Sequence, residues 1–143
     1  MNVGDIYYVD FPFDDIPGKS KKRPAVIILS IDKEDDTIKV LKVTGSEHRS
    51  SRKYTVSLKE SHEAGLEKQS VVECDKVAII KKSKIYPTHN RQDGYIGRLS
   101  KNDLENVKAT FISYVKSLNN TADKFKEHSQ EQQIIYPQQN RGR

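Results

Sequence analysis

Apolar and polar positions alternate with a period of two along most of residues 6–80, and shift to a three- and four-residue spacing after Ser100. From Ile6 to Phe13, Ile6 and Tyr8 alternate with Tyr7, Val9 and Phe11, which predicts a strand apolar on parts of both faces. Residues 14–22, DDIPGKSKK, carry Asp, Pro, Gly and Ser turn chemistry and predict a long loop. Ala25 to Ile31 is apolar except for Ser30 and reads as a central strand covered on both faces. Asp32 to Asp36 makes an acidic turn into Thr37–Val43, with Ile38 and Val40 on one face, so a hairpin is expected. A second polar loop, residues 44–53, leads to a strand over Tyr54–Leu58, and Ser70–Ile80 is again strand-like. Turns fall at Tyr86-Pro87 and Asp93-Gly94. Ser100 and Asp103 have the spacing of a capping box, and Leu104, Val107, Phe111, Val115 and Leu118 then form the apolar stripe of one helix lying on the sheet. The expected class is mainly β with α, that is, α+β.

The chain has 143 residues, which fits one domain. That domain is expected over residues 1–118. Residues 119–143 are rich in Gln, Asn and charge and bury too little surface to offset their ordering entropy, so a flexible polar tail is expected, with Ile134 to Tyr136 as its docking patch or a short helix. The formal net charge of +5 favours polyanionic partners. The single Cys74 excludes an internal disulfide framework and sits in an apolar run, as a packed side chain does. No leader-like start and no apolar run of membrane-spanning length are seen, which predicts a cytoplasmic protein without membrane partners. His62, His89 and His128 have no metal-ligand spacing, and no glycine-rich phosphate loop occurs, so neither metal nor cofactor is expected.

In KSKKRPAVIIL, residues 19–29, Arg23 stands where cationic residues give way to a buried strand. Its backbone would be held by the fold while its guanidinium faces water. Taken alone, such an arginine is most simply paired with Asp10 or Asp15. The ordered segments GDIYYVDFPF, KKRPAVIIL, VLKVTGS and GLEKQSVVECDKVAIIKKSKI, however, resemble the MazF/PemK (Kid) toxins of type II toxin–antitoxin systems over roughly residues 3–118.

The resemblance implies a small twisted SH3-like β-barrel of the CcdB/PemK type with a C-terminal helix. It also implies a homodimeric, metal-independent endoribonuclease that cuts single-stranded RNA, mRNA included, by attack of the ribose 2′-hydroxyl and is neutralised by an acidic cognate antitoxin. Carried over residue by residue, it makes Arg23 and Thr44 the catalytic pair. The chemistry suits them: charge developing on the attacked phosphate calls for preorganised donors, and Arg23 offers a planar fork while Thr44 offers a hydroxyl on a stiff stem. Ser46 is the substitute hydroxyl if the register is off by two. An arginine is a poor general base, which makes His48 the candidate proton carrier, although an exposed loop histidine is its simplest reading. Asp14 and Asp15 receive no role.

Lys19, Lys21, Lys22, Arg49, Arg52 and Lys53 are candidates for a phosphate-tracking groove, and Phe13 for stacking on a base; Tyr7 and Tyr8 fit a core better. The competing classes are a barrel that binds nucleic acid or protein without cutting, and a CcdB-like topoisomerase poison.

Overall fold

The computed structural model describes residues 1–12, 16–32, 36–45, 53–86 and 93–129. Six strands, β1 (Asp5–Pro12), β2 (Ser20–Asp32), β3 (Thr37–Gly45), β4 (Thr55–Ser57), β5 (Ser70–Lys81) and β6 (Tyr95–Arg98), precede one helix, α1 (Lys101–Ser129). All pairings are antiparallel, and the sheet runs β4-β5-β3-β2-β1-β6. This is the α+β architecture the hydrophobic pattern predicts. The sheet stays open between β4 and β6, but a single bridge from Val9 to Ile85 draws the segment after β5 back onto β1.

That curl gives the sheet two buried faces. One core, with Ile6, Val26, Leu41, Val72, Cys74 and Val107 among its members, lies between the sheet and α1. The second, built from Tyr7, Val9, Phe11, Ala25, Ile27, Ile38, Val40, Ala78 and Ile80, fills the concave side. Alternation along β1 and β2 assigns successive residues to the two cores, and so neither strand shows a polar face. The near-continuous apolar run of β2 has this physical cause.

Strand β2 begins at Ser20, so the loop expected over residues 14–22 is shorter. Ser20, Lys21 and Lys22 pair with Pro12, Phe11 and Asp10. Both lysines are exposed at the sheet's end, where strand geometry carries no apolar signature. The helix runs on to Ser129, past the last apolar position of its stripe. Leu118, expected on the sheet, is exposed, because the face in contact with the sheet is made by Leu104, Val107 and Phe111.

Two acids anchor the ends of the fold. Gly4 adopts φ +97°, and a Cβ there would come within 2.9 Å of the Leu104 side chain, so only glycine lets the chain turn beneath the helix. Beside it, the buried Asp5 accepts from the Asn2 backbone N–H at 2.8 Å and from Arg98 Nη1 at 2.7 Å, tying β1 to β6. At the helix start, the Asp103 N–H donates to Ser100 Oγ at 3.1 Å, the cap the sequence predicts. The reciprocal half of the capping box is absent. The fully buried Asp103 carboxylate instead accepts from the N–H groups of Lys59 and Glu60, at 3.0 and 2.9 Å, because the turn after β4 presents two donors there.

Removing two charge-assisted hydrogen bonds and leaving two buried donors predicts that Asp103→Ala costs about 3 kcal/mol in urea unfolding, with Asp103→Asn, which retains one acceptor oxygen, less damaging. Cys74 is fully buried, its Sγ 3.8 Å from the Val107 carbonyl oxygen. Burial, with the Asp75 charge second, pushes its thiol up from 9.0 to about 12. Native protein should therefore resist thiol reagents at neutral pH. The raised folded value means that Cys74 favours the fold below about 9 and that this contribution is lost as pH rises toward about 12. A Cys74→Ala variant should show a flatter fall in stability over that window.

Candidate active site

Arg23 occupies the part of β2 paired with Val9 of β1, and both Val9 and Ala25, two positions further along, are fully buried. Its backbone is thus fixed between core residues while its side chain is half-buried. Thr44, the penultimate residue of β3, pairs with the fully buried Val71 of β5. In the β2–β3 ladder Ala25 opposes Lys42 and Val26 opposes Leu41. Ala25–Lys42 is the last pair of that ladder, and Arg23 and Thr44 each lie two residues beyond it on their own strands. Opposed residues share a face, as do residues two apart in one strand, so Arg23 and Thr44 both belong to the concave side.

The same face carries more polar groups at this end of the sheet. Lys42 opposes Glu73 of β5, which in turn opposes Thr55 of β4. Lys42 Nζ lies 3.8 Å from Glu73 Oε2, with the lysine side chain 17% exposed and the glutamate fully buried. Thr55 Oγ1 is buried and has no hydrogen-bond partner among the described residues. The register shifts between Leu41 and Lys42, where the partner in β5 jumps from Val77 to Glu73 and leaves Cys74, Asp75 and Lys76 outside the ladder with β3. Bulges of this kind re-aim side chains next to functional sites.

Arg23 makes no ion pair and no side-chain hydrogen bond among the described residues. Of the two carboxylates expected to hold it, Asp10 accepts through Oδ1 from Ser20 Oγ at 2.6 Å, and Asp15 lies outside the described residues. A half-buried guanidinium on a rigid strand, without a carboxylate partner among the described residues and on the same face as a threonine, is suited to binding an anion.

A sequence model of the PemK-like, MazF-like toxins of type II toxin–antitoxin systems matches residues 2–115. The chain belongs to this family. No curated protein matches it closely, but solved structures do. The toxin is similar to MazF from Deinococcus radiodurans, with a TM-score of 0.59, 16% identity, and 81% of this chain and 96% of that chain covered. It is similar to a MazE-MazF structure from the same organism, at TM-score 0.57, 17% identity and 81% and 96% coverage. A third match is an endoribonuclease in complex with its cognate antitoxin from a Mycobacterial species, at TM-score 0.56, 13% identity and 81% and 95% coverage. At these identities the likeness is one of fold.

The toxin brings only part of the sequence-predicted set together. Lys21, opposite Phe11, shares the face of Arg23, whereas Lys22, opposite Asp10, is on the other face, its Nζ 4.6 Å from the centre of the Tyr86 ring. Lys19 is exposed in the turn before β2. Lys53 is exposed too, but its Nζ lies 5.2 Å from the ring centre of Tyr54, which packs edge-on against Tyr114 of the helix at 5.4 Å. Burial, with Asp75 second, raises the Tyr114 phenol. Tyr7 is core, edge-on to Tyr95 at 5.5 Å. Phe13, Ser46, His48, Arg49 and Arg52 lie outside the described residues.

Sequence reasoning passed over Lys42, Thr55 and Glu73. The one available signal was Glu73 itself, an acid inside SVVECDKVAII whose neighbours Val72 and Cys74 are both core. Because Arg23 pairs with no carboxylate among the described residues, Arg23→Ala should shift stability by less than about 1 kcal/mol in urea unfolding.

Proposed function

We propose that this toxin is a metal-independent, sequence-selective endoribonuclease that cuts single-stranded RNA, with Arg23 and Thr44 at the reacting phosphate. The observation that carries this reading is the half-buried Arg23 guanidinium, mounted beside fully buried strand residues, on the same sheet face as Thr44 and without a carboxylate partner among the described residues. In the reaction the ribose 2′-oxygen attacks the adjacent phosphorus and loses its proton. The bond from phosphorus to the 5′-oxygen breaks, and that oxygen takes up a proton to leave as a 5′-hydroxyl. Negative charge grows on the non-bridging oxygens between these events. Two fixed donors aimed at them lower the barrier, because the protein need not reorganise as charge appears. His48 is the proposed proton carrier and Ser46 the proposed second hydroxyl, with Arg49 and Arg52 extending the basic surface of Lys19 and Lys21 along the RNA backbone and Phe13 stacking on a base.

The toxin acts in the cytoplasm as a homodimer, and its partner is an acidic antitoxin whose charge complements the basic surface. An antitoxin accompanies the Mycobacterial endoribonuclease, and MazE accompanies MazF in the Deinococcus structure. The test is incubation of purified, antitoxin-free toxin with long single-stranded RNA in EDTA, with the ends mapped by primer extension. Discrete cuts with 5′-hydroxyl ends are expected, falling on the order of 10²–10³-fold in folded Arg23→Ala. Intact RNA across diverse sequences would turn the assignment toward a non-cutting binder or a poison of another target.

A further inference from the structure

Glu73 is an acid, yet it is fully buried and lies one ladder step from the Arg23–Thr44 face. A buried carboxylate is expensive unless something holds it ionised, and Lys42 Nζ is 3.8 Å away. An apolar pair of the same size would serve the core at least as well. The pair sits at the register shift of β5, outside both apolar clusters and next in the ladder to the buried hydroxyl of Thr55. Lys42 opposes Ala25, so along its neighbouring strand it is two residues from Arg23, and along its own it is two from Thr44. Its side chain is the part of the pair that retains exposure.

We infer that Lys42 is a further RNA-contacting residue of this site, giving a third donor to the phosphate backbone beside Arg23 and Thr44, and that Glu73 is its positioning residue. This rests on the ribonuclease reading for its substrate. Lysine carries a compact ammonium on a flexible stem, and a buried carboxylate 3.8 Å from that ammonium limits the stem to the concave face. The cost of burying that acid inside the protein is then linked to orienting a cation at the phosphate rather than to stability.

The experiment compares the full-length wild-type toxin with Lys42→Arg, Lys42→Met and the double variant Lys42→Met/Glu73→Leu. RNA affinity is measured across a salt series, and cleavage kinetics are measured beside it. Lys42→Met strands a buried acid and can unfold the protein, whereas the double variant removes both charges and should melt at or above the wild-type temperature. In the folded double variant, RNA affinity is expected to fall on the order of tenfold, KM to rise more than kcat falls, and the slope of log affinity against log salt to shrink by about one. Lys42→Arg should restore the slope. A folded double variant with wild-type affinity, slope and KM would overturn the inference and leave the pair a structural one. Wild-type toxin that binds RNA without cutting would instead remove the ribonuclease reading, while the salt slope would still decide the role of Lys42.

Discussion

Strand β2 is hydrogen-bonded along both edges, to β1 from Val26 back to Ser20 and to β3 from Ala25 onward, and Ala25 to Ile28 are buried. A strand held in this way cannot slip, because a shift of one residue would carry each side chain from one core to the other. The position of Arg23 follows from that constraint. It lies two residues before the first fully buried position, too close to the core for its backbone to wander and too near the sheet's end for its side chain to be covered completely.

The second constraint comes from β5, which serves two neighbours at once. It pairs with β4 and β3 near its start and with β3 alone near its end, and the register shift at Leu41/Lys42 accommodates the change. Three residues, Cys74, Asp75 and Lys76, leave the ladder with β3 there. Cys74 turns into the helix-facing core, where its thiol is kept neutral, while Glu73 turns to the concave face. One irregularity thus separates an inert sulfur from a charged pair beside the candidate site.

The Gly4-Asp5 pair contributes differently. It is the most visible motif at the start of the chain, yet its partners are Leu104, Asn2 and Arg98, none of them a candidate site residue. Its role is to seal β1 and β6 beneath the helix. Asp103 has the matching role at the other edge, holding the turn after β4 against the helix start. These acids position the layers, whereas Arg23, Thr44 and the Lys42–Glu73 pair are left to act on what lies against the concave face.

The alternation of apolar side chains by itself determined the strands from β1 to β5, the helix and the α+β class, because side-chain period is a local property that burial enforces residue by residue. It also placed Cys74 in a core and Ser100 at the helix cap. Sequence resemblance, rather than alternation, singled out Arg23 and Thr44. The tertiary structure decided what depends on residues distant in sequence. The β2–β3 register put Arg23 and Thr44 on one face of the sheet, two residues past the Ala25–Lys42 pair, the hydrogen bond from Ser20 engaged Asp10, and the turn at Lys59–Glu60 drew Asp103 away from a reciprocal cap. Lysines at a strand end leave no periodic trace, and an acid in an apolar run does not name its partner. Glu73 therefore acquired meaning, and Lys21 was told apart from Lys22, only once the strands were paired.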